Sequence, residues 1–136
     1  MVARLLLAAW NVTPGRRFLE VGCGIGTKMQ LAQNLGFNTF GIEIVPELAA
    51  EARREGLNVI GVDARSWPGY AEFDTVYVNH PLLDSSAEQE FERELHQAMR
   101  PGSVLVAVND CGPPEGWESV VDERSAWRGV WVKPWP

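Results

Sequence analysis

Apolar residues along this chain fall into short continuous runs, and the stretches between several of them carry a helical period. Arg16 to Val21, Asn38 to Ile44, Leu57 to Val62, Thr75 to Val78 and Ser103 to Val108 read as strands. Continuous apolar strands, unlike alternating ones, belong to a parallel sheet covered on both faces. The intervening helices are predicted at about Val2 to Trp10, Thr27 to Leu35, Pro46 to Glu55, and a last one capped by Ser85 or Ser86, with Glu88 in its first turn, ending at Arg100-Pro101-Gly102. Met29, Leu31, Ala32 and Leu35 are available for the core, as are Phe91, Leu95, Ala98 and Met99. Gly36 and Arg100-Pro101-Gly102 mark helix ends, and Pro46 suits a first helical turn because its missing N–H is not needed there.

The alternation lapses twice. Asp63 to Asp74 is rich in Pro, Gly and aromatics and has no helical period, yet it is long enough to cross back under the sheet. Asn109 to Gly116 is too short for a parallel crossover. The strand near Trp117 to Asp122 is therefore expected antiparallel to the fifth, with Gly129 to Lys133 turning back as the final edge. The pattern predicts an α/β domain spanning residues 1–136: an open, mostly parallel sheet, helices on both faces, and an antiparallel C-terminal strand pair.

Composition changes this picture little. A chain of 136 residues with 46% hydrophobic and 22% charged residues is an ordinary single globular domain. Net charge of −6 argues against broad phosphate-backbone contact, without excluding a nucleic-acid substrate held by a few residues. Cys23 and Cys111 lack metal-ligand spacing and read as free thiols of a reducing cytoplasm; no metal is expected. The apolar run at the N-terminus reads as a buried or amphipathic helix rather than a leader, and nothing reaches membrane-spanning length.

The candidate chemistry begins at Glu20-Val21-Gly22-Cys23-Gly24-Ile25-Gly26-Thr27. Strand, glycine loop and helix let a backbone approach a ligand closely, since no Cβ intervenes and positive φ is tolerated. A tight turn without a ligand is the plainer alternative, but alternating glycines exceed what such a turn needs. A dinucleotide loop would place its third glycine one residue later than Gly26. Glu20 would also repel a pyrophosphate and welcome a cation. Acidic residues recur where the next strands end: Glu43 can accept from a ribose diol, and Asp63 from an exocyclic amine.

With these residues in hand the chain resembles the class I, Rossmann-like S-adenosylmethionine-dependent methyltransferases. The resemblance spans about Phe18 to Val108. It rests on Glu20-x-Gly22-x-Gly24-x-Gly26, Gly41-Ile42-Glu43, Val62-Asp63-Ala64, Phe73 to Asn79, and Arg100-Pro101-Gly102-Ser103. It implies that Gly22, Gly24 and Gly26 lie against the methionine part of the cofactor and that Glu20 anchors its amino group. Glu43 would hold the ribose hydroxyls, Asp63 and Ala64 the adenine, and Asn79 would stand beside the reactive methyl.

Asn79-His80-Pro81-Leu82 only partly matches the Asn/Asp-Pro-Pro-aromatic tetrad of amino-group methyltransferases. His80 is the first candidate for a general base, with Asp84 and Asp110 behind it. His96 reads as a surface residue. Trp117, Trp127, Trp131 and Trp135 fit either core packing with edge cover or a self-association surface of a homo-oligomer. Few residues precede the first strand, so this would be a compact member whose methyl acceptor, of unidentified class, is chosen by loops, tail or another subunit. A non-catalytic cofactor-binding module is the second reading, and a dinucleotide-binding enzyme the third.

Overall fold

The computed structural model describes residues 2–79, 81–82, 84–108, 113–123 and 128–136. Among them lie helices α1 (Val2–Val12), α2 (Thr27–Leu35), α3 (Pro46–Arg54) and α4 (Ser85–Ala98). The strands are β1 (Arg17–Val21), β2 (Asn38–Ile42), β3 (Val59–Ile60), β4 (Thr75–Asn79), β5 (Val104–Val108), β6 (Glu118–Glu123) and β7 (Arg128–Val132). They form one sheet in the order β3-β2-β1-β4-β5-β7-β6. β1 to β5 pair in parallel, and β7 is antiparallel to both β5 and β6. The expected open, mostly parallel sheet with an antiparallel C-terminal pair is present.

Helices cover both faces. On one, Leu5, Leu6 and Ala9 of α1 and Ala32 of α2 pack on Phe18, Tyr77, Val106 and Val130. On the other, Phe91, Leu95 and Met99 pack with Tyr70 and Phe73 on Leu19, Val76, Leu105 and Trp131. Fully burying a side chain such as Leu5 or Leu6 contributes about 1.5–3 kcal/mol. Ala49 and Ala52 let α3 approach Met29, Leu57 and Val59 closely in a third cluster. Gly26 is fixed by this contact: a Cβ there would stand 2.2 Å from Leu57 Cδ1, and its φ is +91°.

Several expectations are corrected. The strand near Trp117 does not flank β5. β7 takes that place, and β6 forms the outer edge, running in the same direction as β5. Burial accounts for the swap: Val130 and Trp131 of β7 are buried, whereas β6, Glu-Ser-Val-Val-Asp-Glu, has the charge an edge strand needs. β3 is only Val59–Ile60, because pairing lapses where β2 ends at Ile42. Residues 63–74 have no α-helix, as expected, but make two 3₁₀ turns, Ala64–Ser66 and Tyr70–Glu72.

α4 is capped by Asp84, whose carboxylate accepts from the Ser86 N–H (2.9 Å), not by a serine. Its inner face is Glu88, Phe91, Glu92 and Leu95, while Ala98 and Leu31 are exposed. His96 is not a surface residue: it bonds buried Glu92 (3.1 Å) and its ring meets Trp117 with centroids 5.2 Å apart. Among the tryptophans, Trp131 is core, Trp117 is half-buried and Trp135 is exposed; Trp127 lies outside the described residues.

Candidate functional site

The sheet order reverses between β1 and β4, so the chain departs in opposite directions on either side of that pair. Ligands of open α/β sheets sit at such a switch point, outside the C-terminal strand ends. A cleft of about 430 Å³ opens there. It is lined by Gly22 after β1, Glu43 after β2, Asp63 and Ala64 after β3, and Asn79 at the end of β4. Val62, Ile44, Pro81 and Leu82 supply apolar walls, and Arg65 and Asp84 add charge.

Glu43 is the best-held group. Its side chain is buried beneath the rim, where Oε1 accepts from Gly24 N–H (2.7 Å) and Oε2 from Val45 N–H (3.0 Å). The carboxylate thereby ties the glycine loop to the loop after β2. Each oxygen has a further lone pair to offer. Gly22 and Gly24 have φ of +68° and +58°. A Cβ on Gly24 would meet nothing within 4 Å, and one on Gly22 would just touch Pro81 at 4.0 Å. Their lack of side chains serves backbone conformation and leaves open space, in contrast to Gly26, which serves packing.

Glu20 stands under the loop and does not line the cleft. It faces Tyr77, its register partner across β1 and β4, on the α2 side of the sheet. Oε1 has no hydrogen-bond partner among the described residues. Burial pushes its pKa up to about 8; the Lys28 charge and the Met29 N–H oppose this, and the Glu43 charge adds to it. The Tyr77 hydroxyl, pushed up to about 12 by burial and the Glu20 charge, stays protonated. It accepts a hydrogen bond from Asn79 Nδ2 at 3.4 Å, which leaves the Asn79 amide oxygen without a hydrogen-bond partner among the described residues. The Cys23 thiol is likewise pushed up to about 12, by burial and then by Glu20 and Glu43, which removes it as a nucleophile.

Asp63 is already engaged. Oδ1 accepts from the backbone N–H and the Nε of Arg65 (3.0 and 3.2 Å), and Oδ2 from its terminal guanidinium nitrogen (3.0 Å). The carboxylate caps a 3₁₀ turn as well as facing the cleft. Sequence reading missed Arg65, although an Asp two residues before an Arg at a turn is an Asx-turn signal. It also missed the lining role of Leu82 and Ile44. His80 and Asp110 lie outside the described residues.

A parallel sheet with a glycine-loop cleft at its switch point defines a nucleotide-type α/β binding domain. Residues 19–107 match the methyltransferase domain family, and the chain belongs to that family. It is 36% identical over 94 residues to the protein-L-isoaspartate O-methyltransferase of Gloeobacter violaceus, covering 58% of this chain and 46% of that protein. It is 29% identical over 127 residues to the malonyl-[acyl-carrier protein] O-methyltransferase of Enterobacter lignolyticus, covering 89% and 49%. The chain thus spans about half the length of the curated relatives it matches. In fold it is similar to an RNA methyltransferase from Salinibacter ruber, solved with S-adenosyl-L-homocysteine. The TM-score is 0.76 at 24% identity, covering 99% of this chain and 91% of that one. No helix among the described residues is long and apolar enough to cross a membrane.

Proposed function

We propose that this chain is an S-adenosylmethionine-dependent methyltransferase acting as one domain over residues 1–136. The observation that carries the reading is Glu43. A buried carboxylate is held by the glycine loop's own N–H at the end of the second parallel strand, facing a cleft of nucleoside size. The residues fit the group. Open space stands over Gly24, acceptors remain on Glu43, and among the described residues the Oε1 of buried Glu20 lacks a partner beneath the loop. Glu43 would take the ribose hydroxyls, Asp63 and Ala64 the adenine edge, and Glu20 the amino group, directly or through water.

S-Adenosylmethionine supplies a methyl group already activated on a sulfonium sulfur. The protein's part is then alignment and exclusion of water. Asn79, its amide turned by Tyr77, offers an acceptor oxygen to an N–H or O–H nucleophile beside the glycine loop. The Asp84 carboxylate is already engaged as the cap of α4. His80 remains the proposed base where the acceptor arrives protonated. The relatives act on protein, acyl-carrier and RNA acceptors by their names, so the acceptor class of this chain stays open. A cytoplasmic location fits the free, buried Cys23, and exposed Trp135 supports self-association as a secondary reading.

Calorimetry with S-adenosylmethionine, S-adenosylhomocysteine and NAD tests the reading. Micromolar or tighter binding of the first two and none of NAD is expected. Binding of NAD alone would restore the dinucleotide alternative. Labelled cofactor incubated with cell extract then separates enzyme from binding module: transfer of label to any extract component is expected, and none under any condition favours the module.

A further inference from the structure

Asp63 and Arg65 form a two-part device at the rim of the cleft. The Asp63 carboxylate is fixed by the Arg65 backbone N–H, a bond that closes the 3₁₀ turn whatever the Arg65 side chain does. The guanidinium lies separately across both carboxylate oxygens. Together the three contacts take most of the roughly four lone-pair sites of a carboxylate. Both residues line the cleft, and the Arg65 side chain is more than half exposed. The carboxylate is therefore a fixed acceptor beneath a movable cation.

We infer that Arg65 is a specificity-determining latch: its guanidinium competes with the exocyclic amine of an adenosyl ligand for Asp63 and must swing into solvent when that ligand seats. This rests on the reading of the cleft given under Proposed function. Since the pair is solvent-exposed, salt weakens it. Rising ionic strength should then release the latch and tighten binding of a net-neutral adenosyl ligand. The latch also blunts selectivity. While the guanidinium is present it can donate to a 6-oxo group, so an inosine-type ligand is not fully rejected. Without it, the bare carboxylate faces that oxygen and repels it.

The test is calorimetric titration of the full chain and Arg65→Ala with S-adenosylhomocysteine and its 6-oxo analogue at low and high salt. The variant keeps the backbone cap and should fold normally. Expected are about two- to fivefold tighter S-adenosylhomocysteine binding by Arg65→Ala at low salt, an affinity gap that closes at high salt, and larger amine-over-oxo discrimination. Equal or weaker S-adenosylhomocysteine binding by the variant, with the wild type binding normally, would overturn the latch alone. Failure of the wild type to bind the ligand would overturn the cleft assignment and the latch together.

Discussion

At the N-terminal ends of the parallel strands, Asp74 is a buried carboxylate whose needs the protein meets itself. One oxygen accepts from the Arg17 N–H (2.8 Å) and the other is paired with Arg100. Asp74 also fills the space over Gly15, and Arg17 lies against the rings of Phe40 and Phe73 at 4.8 and 5.1 Å. At the C-terminal ends Glu20 is equally buried, but one oxygen has no partner among the described residues, and the Lys28 charge does not offset the burial. One end of the sheet is closed by its own charges, and the other keeps an open acceptor, which under the proposed reading a ligand completes. On that reading stability and binding reside at opposite ends of the same strands.

The largest effect separating the two ends is expected at Glu20. Unfolded, it ionises near 4.5; folded, near 8. Between those values the native state holds a proton that the unfolded chain has released, so stability falls as pH rises through the window and levels off above it. Glu20→Gln should abolish a fall of roughly 3–5 kcal/mol, read as the difference between the two proteins' urea-denaturation stabilities across that pH range. Parallel pH profiles for wild type and variant would mean that Glu20 is satisfied within the protein after all.

Asp74→Ala attacks the closed end. It strands the Arg17 N–H and separates Arg100, and should lower stability by about 2–3 kcal/mol in urea titration. Ligand affinity of the folded fraction should stay the same, and a loss of affinity without a loss of stability would erase the division between the ends.

The sequence foretold the division only in part. Glycine spacing and strand-end acids located the open end, because backbone conformation and sheet topology constrain those residue types strongly. Glu43 is where its spacing implied. What Glu20 does was legible only as charge: its burial under the loop depends on the facing of β1 against β4 and α2, which no local pattern states. The Asp63–Arg65 pair was a short-range feature overlooked in favour of the ligand role of Asp63. The order of β6 and β7 was readable from edge charge, but loop length alone pointed to the nearer strand. Asp84 takes the cap because it stands one residue before the first helical position, where its carboxylate accepts from the Ser86 N–H two residues on.

The smallest expected effect is at Glu43, where binding and loop integrity meet. Glu43→Ala removes the acceptor from Gly24 N–H and from the two ribose hydroxyls it is proposed to hold, and should weaken S-adenosylhomocysteine binding by about 1–3 kcal/mol. Glu43→Gln, which keeps one carbonyl for Gly24, should lose less. Unchanged affinity in Glu43→Ala would move the ligand away from this rim.

Proton release on ligand binding tests the central claim most directly. S-Adenosylhomocysteine titrated near neutral pH, in two buffers of different ionisation enthalpy, reads that release. An ammonium seated on Glu20 should ionise it, expelling up to about one proton per ligand from the wild type and none from Glu20→Gln. Binding without proton release, or the same release from both proteins, would contradict an open sheet end completed by the ammonium of an adenosyl ligand.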